Sequence, residues 1–194
     1  MGYFLIEMKR GRHGLIRVRH TEEKDIDRVL EIFELAKDWM ARNDNPNQWK
    51  DRNFRDDVIK DIESGNGYVI TDDECESVQK PGCRDLQTGS HIVATFALIF
   101  GEDPTYSHMD GGWWLNDEPY ATIHRLASSG ERRGIFKAVL EYAMKQTYNI
   151  RADTHEDNKI MRSLLKEEGF EELGIIYLAD KSPRIAYHYV RNNN

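Results

Sequence analysis

Cysteine is nearly absent from this chain. Cys75 and Cys83 are the only two, eight positions apart in a polar stretch. Two thiols cannot build a disulfide framework, and their spacing matches no zinc pattern. They read as free thiols in a reducing, cytoplasmic compartment. Long apolar runs are also missing, and none approaches the roughly 20 residues of a membrane-spanning helix. The opening Met1-Gly2-Tyr3-Phe4-Leu5-Ile6-Glu7-Met8 lacks the basic and apolar regions of a signal peptide. Basic excess is absent too: 27 Lys and Arg stand against 34 Asp and Glu, for a net charge of −7. That balance argues against non-specific nucleic-acid binding and suits a cationic small substrate. Neither an internal repeat nor a linker is visible.

Apolar material is sufficient for a core, with 39% hydrophobic residues in 194. Residues 1–14 read as a leader outside the fold, 15–190 as one domain, and 191–194 as an unstructured tail. Leu15 to Arg19 alternates apolar and polar residues, which predicts a strand. Thr21, before Glu22 and Glu23, reads as an N-cap. Ile26, Val29, Leu30, Phe33, Ala36 and Met40 follow at helical spacing. Phe54, Val58, Ile59 and Ile62 mark a second helix. Strands are expected at Tyr68–Ile70 and His91–Phe100, with a polar loop from Thr71 to Ser90.

The second half alternates strand and helix. Ala121–Ala127, Ile150–Thr154, Ile175–Leu178 and Ile185–Val190 read as strands. Ile135, Phe136, Val139, Leu140, Ala143 and Met144 give one helical stripe, and Ile160, Met161, Leu164 and Leu165 another. The class is mixed α/β: a mostly antiparallel sheet of six to seven strands with about four helices. Residues Gly101 to Pro119 form a long connection carrying the Trp113-Trp114 pair, and loops of that length are often functional. These tryptophans and Tyr120 either wall a pocket or cover one end of the sheet. Trp39 and Trp49 carry the same two readings.

Between the strand at Ala121 and the helix at Ile135 stands Ser128-Ser129-Gly130-Glu131-Arg132-Arg133-Gly134. A helix N-terminus offers unpaired N–H groups and a positive dipole end, and glycine removes side-chain bulk. The arrangement reads either as a pyrophosphate cradle or as an ordinary tight turn with solvated arginines. It lacks the Lys-Ser/Thr after glycine that an ATP-binding P-loop needs. Tyr120, Thr122, His124 and Leu126 are expected on one strand face. Imidazole is the side chain among them that titrates near neutral pH, so His124 is the candidate general base. Asp153-Thr154-His155-Glu156-Asp157-Asn158 is dense in donors, but adjacent side chains diverge and no metal is expected there.

From Leu15 to Val190 the order of elements resembles the GNAT acetyltransferase fold. Gly130 to Lys137 is similar to the family's acyl-CoA pyrophosphate loop, Q/R-x-x-G-x-G/A, although Glu131 and Phe136 depart from it. Asp157 to Phe170 is similar to the family's N-x-x-A-x-x-L-Y-E-K-x-G-F, with Leu165 where the family has Tyr. The resemblance implies acetyl-CoA as cosubstrate. It implies that pyrophosphate meets the N–H groups of Arg132, Arg133, Gly134, Ile135 and Phe136, with Lys137 adding charge. Leu126 and Ala127 would offer backbone groups to the pantetheine arm, and Asn158 would hold it. The implied activity is transfer of acetyl from acetyl-CoA to a primary amine of a small molecule or peptide in a ternary complex. Dimers through a strand edge are common in the family, so the resemblance leaves a homodimer open; charge and hydropathy predict no nucleic-acid or membrane partner. The departures at Glu131 and Leu165 leave a second reading, an acyl-CoA-binding sensor with little catalysis.

Overall fold

The computed structural model describes residues 4–6, 16–72 and 91–191. Cys75, Cys83 and most of the loop expected between Thr71 and Ser90 lie outside the described residues. The chain forms two compact units interleaved in sequence. One comprises Met1–Ala36, Arg52–Ala97 and Arg125–Tyr142, the other Lys37–Asp51, Leu98–His124 and Ala143–Asn194.

In the first unit, β2 (Ile16–His20) pairs antiparallel with β1 (Phe4–Ile6) and with β3 (Gly67–Asp72). Part of the stretch expected to be a leader thus forms an edge strand, Phe4 opposite Val18. β3 pairs with β4 (His91–Phe100), and the end of β5 (Ala121–Ser128) follows, for the order β1-β2-β3-β4-β5. All residues of β3 are buried, as a near-continuous apolar run predicts. The N-cap is Glu22, one residue after the expected Thr21, whose N–H donates to the Gly67 carbonyl at 2.9 Å. A 3₁₀ turn, Glu23–Asp25, precedes α1 (Ile26–Arg42), and Asp25 accepts the Glu22 N–H at 2.9 Å. Val29, Ile32 and Phe33 form the buried stripe of α1. Phe33 stacks on Phe54, ring centroids 4.0 Å apart, at the entrance to α2 (Arg55–Glu63). Burying each ring stabilises the unit by about 2 kcal/mol.

The register of β3 against β4 shifts after Ile70: Ile70 faces Ala94 but Thr71 faces Ile92. Val93 is the extra residue of this bulge. Its carbonyl accepts the Ser129 N–H at 2.9 Å, which anchors the start of the loop after β5. The loop runs into α3 (Ile135–Ala143), whose Ile135, Phe136, Val139 and Leu140 are buried.

In the second unit the order is β5-β6-β8-β7. β6 (Asn149–Thr154) runs parallel to β5, β8 (Pro183–Val190) antiparallel to β6, and β7 (Glu171–Tyr177) antiparallel to β8. The β5–β6 register covers only Ala121 with Ile150 and Thr122 with Arg151. α4 (Lys159–Glu167) joins β6 to β7. It ends in a Schellman turn: Gly169 takes φ +90° and the Phe170 N–H donates to Leu165 O at 2.9 Å.

The period of two puts Tyr120, Thr122 and His124 on one face with Arg151, Asp153 and His188. The long connection packs on that face. Tyr106, Tyr120, Ile176 and Ala186 form a core joined by Met109, Trp114 and Leu178. Asp110 exchanges two backbone hydrogen bonds with Ile175, at 2.8 and 2.9 Å. Gly112 lies so close to β7 that a Cβ there would overlap the Leu173 carbonyl.

Candidate active site

The loop after β5 lies in the first unit. Gly130 and Gly134 take φ +82° and +77°, backbone that favours glycine, so the chain can turn sharply before α3. The α3 N-terminus follows Gly134 directly, as the sequence predicts. The loop's side chains divide into two sets. Glu131 accepts from Arg28 (2.9 Å) and Ser129 (2.6 Å) and pairs with His91 Nε2 (2.9 Å). Burial pushes its carboxyl up, but these partners outweigh burial and hold it below its ordinary value. The acid that departs from the family pattern is thereby neutralised. Arg132 is drawn onto Asp72 at 2.9 Å. Arg133 and Lys137 are exposed. Two turning glycines, a helix N-terminus and two exposed cations fit a diphosphate.

His124 lies in the second unit. Its Nε2 is 2.8 Å from Asp103 Oδ2, and both side chains are about one-fifth exposed. The other oxygen of Asp103 accepts from Thr105 N at 2.8 Å and Thr105 Oγ1 at 2.6 Å. The Asp103 N–H donates to the Tyr120 hydroxyl at 3.0 Å. Burial pushes the Asp103 carboxyl up, but hydrogen bonds from His124 and Thr105 prevail and hold it at about 2. An ionised carboxylate can only accept, so His124 donates through Nε2 and keeps Nδ1 as its basic nitrogen. The Tyr106 ring lies 6.1 Å from the imidazole, and its hydroxyl donates to Asp153 Oδ1 at 2.9 Å. Burial, and then the Asp153 charge, push the Tyr106 phenol well above its ordinary value.

Behind this pair the same face holds the long connection down. The Arg151 guanidinium sits 3.8 Å from the Tyr120 ring and 4.1 Å from that of Trp114, and donates to Asn116 O at 2.9 Å. His188 is fully buried; Nδ1 accepts the Leu115 N–H at 3.1 Å and Nε2 meets Asn149 Oδ1. Burial, with the Arg151 charge beside it, pushes the His188 imidazole down to about 4.

The alternation expected to carry Leu126 onto the His124 face is interrupted. Arg125 takes φ +50° inside β5, and its guanidinium grips Asp61 at 2.6 and 3.0 Å. Asn158 caps α4, its Oδ1 accepting from Met161 N at 3.1 Å, while Nδ2 donates to Gln48 at 3.0 Å. Leu165 is a core residue, 1% exposed. Asp103 and Tyr106 escaped the sequence reading, because their partners lie 21 and 47 positions away. The length and aromatic content of their segment were the available signal.

No protein-family model matches the sequence, and no curated protein matches it. Solved structures do. An acetyltransferase of the GNAT family from Streptococcus agalactiae matches with TM-score 0.76 and 26% identity, over 92% of this chain and 96% of that one. Arabidopsis thaliana NAA60, in complex with a bisubstrate analogue, matches with TM-score 0.59 and 13% identity over 92% and 99%. A GNAT-family acetyltransferase from Listeria monocytogenes matches with TM-score 0.64 and 14% identity over 92% and 96%. By fold this chain is a member of the GNAT superfamily, and acyl transfer is the chemistry these likenesses support. Among the three, the Streptococcus agalactiae acetyltransferase shares the most of its sequence with this chain.

Proposed function

We propose that the protein transfers an acetyl group from acetyl-CoA to a primary amine of a small molecule or peptide, by direct attack in a ternary complex, with His124 as general base. The observation that carries this reading is the His124–Asp103 pair on the strand that leads into the glycine loop. Arg133, Gly134, Ile135 and Lys137 would hold the pyrophosphate through N–H groups and charge. Acetyl-CoA supplies an activated thioester carbonyl; attack by the amine forms a C–N bond and breaks the C–S bond, and CoA leaves as a thiolate that takes its proton from solvent. His124 Nδ1 takes a proton from the amine, and Asp103 stabilises the imidazolium so formed. The Tyr106, Trp114 and Tyr120 rings border the same face.

Thiol release from acetyl-CoA, measured against a panel of primary amines, tests the proposal. An acceptor should be found that turns over with the parent protein. His124→Ala should then lose about 10²–10⁴-fold in turnover while binding CoA as before. A variant that acetylates the acceptor at the parental rate would show His124 to be structural.

A further inference from the structure

Resting on that reading, we infer that Asp103 is the positioning residue of the base: it fixes the His124 tautomer, so that Nδ1 rather than Nε2 takes the amine's proton. The Asp103 carboxylate is itself held in one orientation. Oδ1 is occupied twice by Thr105, through the backbone N–H at 2.8 Å and the hydroxyl at 2.6 Å. Oδ2 is therefore the oxygen left to face His124 Nε2, at 2.8 Å. The backbone is fixed as well, because the Asp103 N–H donates to the Tyr120 hydroxyl at 3.0 Å and Asp103 stands at the head of the 3₁₀ turn Pro104–Tyr106. Among the described residues, His124 Nδ1 has no hydrogen-bond partner. The ring is thus tethered at one nitrogen, and the other is left for chemistry. On proton uptake the imidazolium stands 2.8 Å from the Asp103 carboxylate. The proton gained by Nδ1 is later released to solvent, so the pair returns unchanged.

Asp103→Asn separates this role from a structural one. Thr105 donates twice to Oδ1, so the asparagine keeps its carbonyl oxygen there and places its amide N–H₂ opposite Nε2. Two donors cannot face each other, so Nε2 must accept and the ring proton must move to Nδ1. Long-range ¹H–¹⁵N correlation spectra of the acceptor-free protein, at a pH where the imidazole is neutral, read the tautomer directly. The parent should show His124 protonated at Nε2, and Asp103→Asn should show it at Nδ1, with the rest of the spectrum unchanged. Turnover with the amine found by the panel should fall at least roughly tenfold, within the about 10²–10⁴-fold worth of the base, with KM for acetyl-CoA unchanged. Asp103→Ala, which also removes the turn's cap, serves as a second variant and should show a mixture of tautomers. An unchanged tautomer or a parental turnover number in Asp103→Asn overturns the inference. His124→Ala at the parental rate overturns the base reading instead, and the tautomer spectra still report separately on the Asp103 tether.

Discussion

His188 illustrates how one buried side chain ties acid sensitivity to the geometry of the site. Its ring is fully buried and accepts the Leu115 N–H, so protonation would break that bond and set a second cation beside Arg151. Folding therefore holds the imidazole at about 4, against 6.5 for the free group. Between those values the unfolded chain binds a proton that the native chain refuses. Native stability should rise with pH across this window and level off above it, by on the order of 2–3 kcal/mol in total. Urea unfolding of the parent and His188→Gln from pH 4 to 7 measures the difference. Equal pH slopes in the two proteins would remove His188 as the cause. Asp103 has the opposite origin but the same sign. Its carboxyl is held at about 2 in the fold, so its stabilisation is present above the ordinary carboxylate range and is lost as pH falls toward 2.

At the scale of elements, two helix N-termini carry the expectations about acetyl-CoA. α4 is capped by Asn158, and Asn158→Ala should cost about 1 kcal/mol of stability in denaturant unfolding through loss of that cap. This separates the cap from the pantetheine contact that the resemblance implies. Asp at 158 would keep the acceptor for Met161 N and lose only the amide donor. Asn158→Asp should keep the α4 cap, lose the amide's bond to Gln48, and bind acetyl-CoA more weakly, by roughly 1 kcal/mol. Parental affinity by titration calorimetry would take Asn158 out of the site. At α3, Gly134→Val combines bulk with strain, because φ is +77° there. Arg133→Ala and Lys137→Ala avoid that confusion, since both side chains are exposed. Each should weaken CoA binding by ~1 kcal/mol at low salt and by less at high salt. Affinities that ignore both substitutions and salt would place the pyrophosphate elsewhere.

For the molecule as a whole, a ligand that binds only the native chain must raise its melting temperature. Acetyl-CoA at one hundred times its dissociation constant should add about 2.7 kcal/mol, or roughly 5–10 °C for a chain of this size. ATP at the same concentration should leave the midpoint where it was, because the loop lacks the Lys-Ser/Thr of a P-loop. Differential scanning fluorimetry decides between them. An equal shift with ATP would favour a nucleotide site.

The seven expected strands and four helices stand within a few residues of where the hydrophobic periods put them. Periodicity is a local property, written in the order of apolar and polar side chains, and so are the turning glycines before α3 and after α4. His124 was legible as a base candidate for the same reason: alternation along β5 is local and holds as far as that residue. It stops at Arg125, whose left-handed backbone accompanies a grip on Asp61, 64 positions away. The Asp103 tether, the Tyr106–Asp153 bond, the Arg28–Glu131–His91 cluster and the buried His188 are likewise pairings of residues far apart in the chain. Nothing in local order marks which carboxylate will meet which imidazole. The sequence by itself determined the elements from β2 onward, their order and the loop that precedes α3. Only the tertiary structure decided which nitrogen of His124 is tied down, because a hydrogen bond between distant residues exists only after the chain has closed.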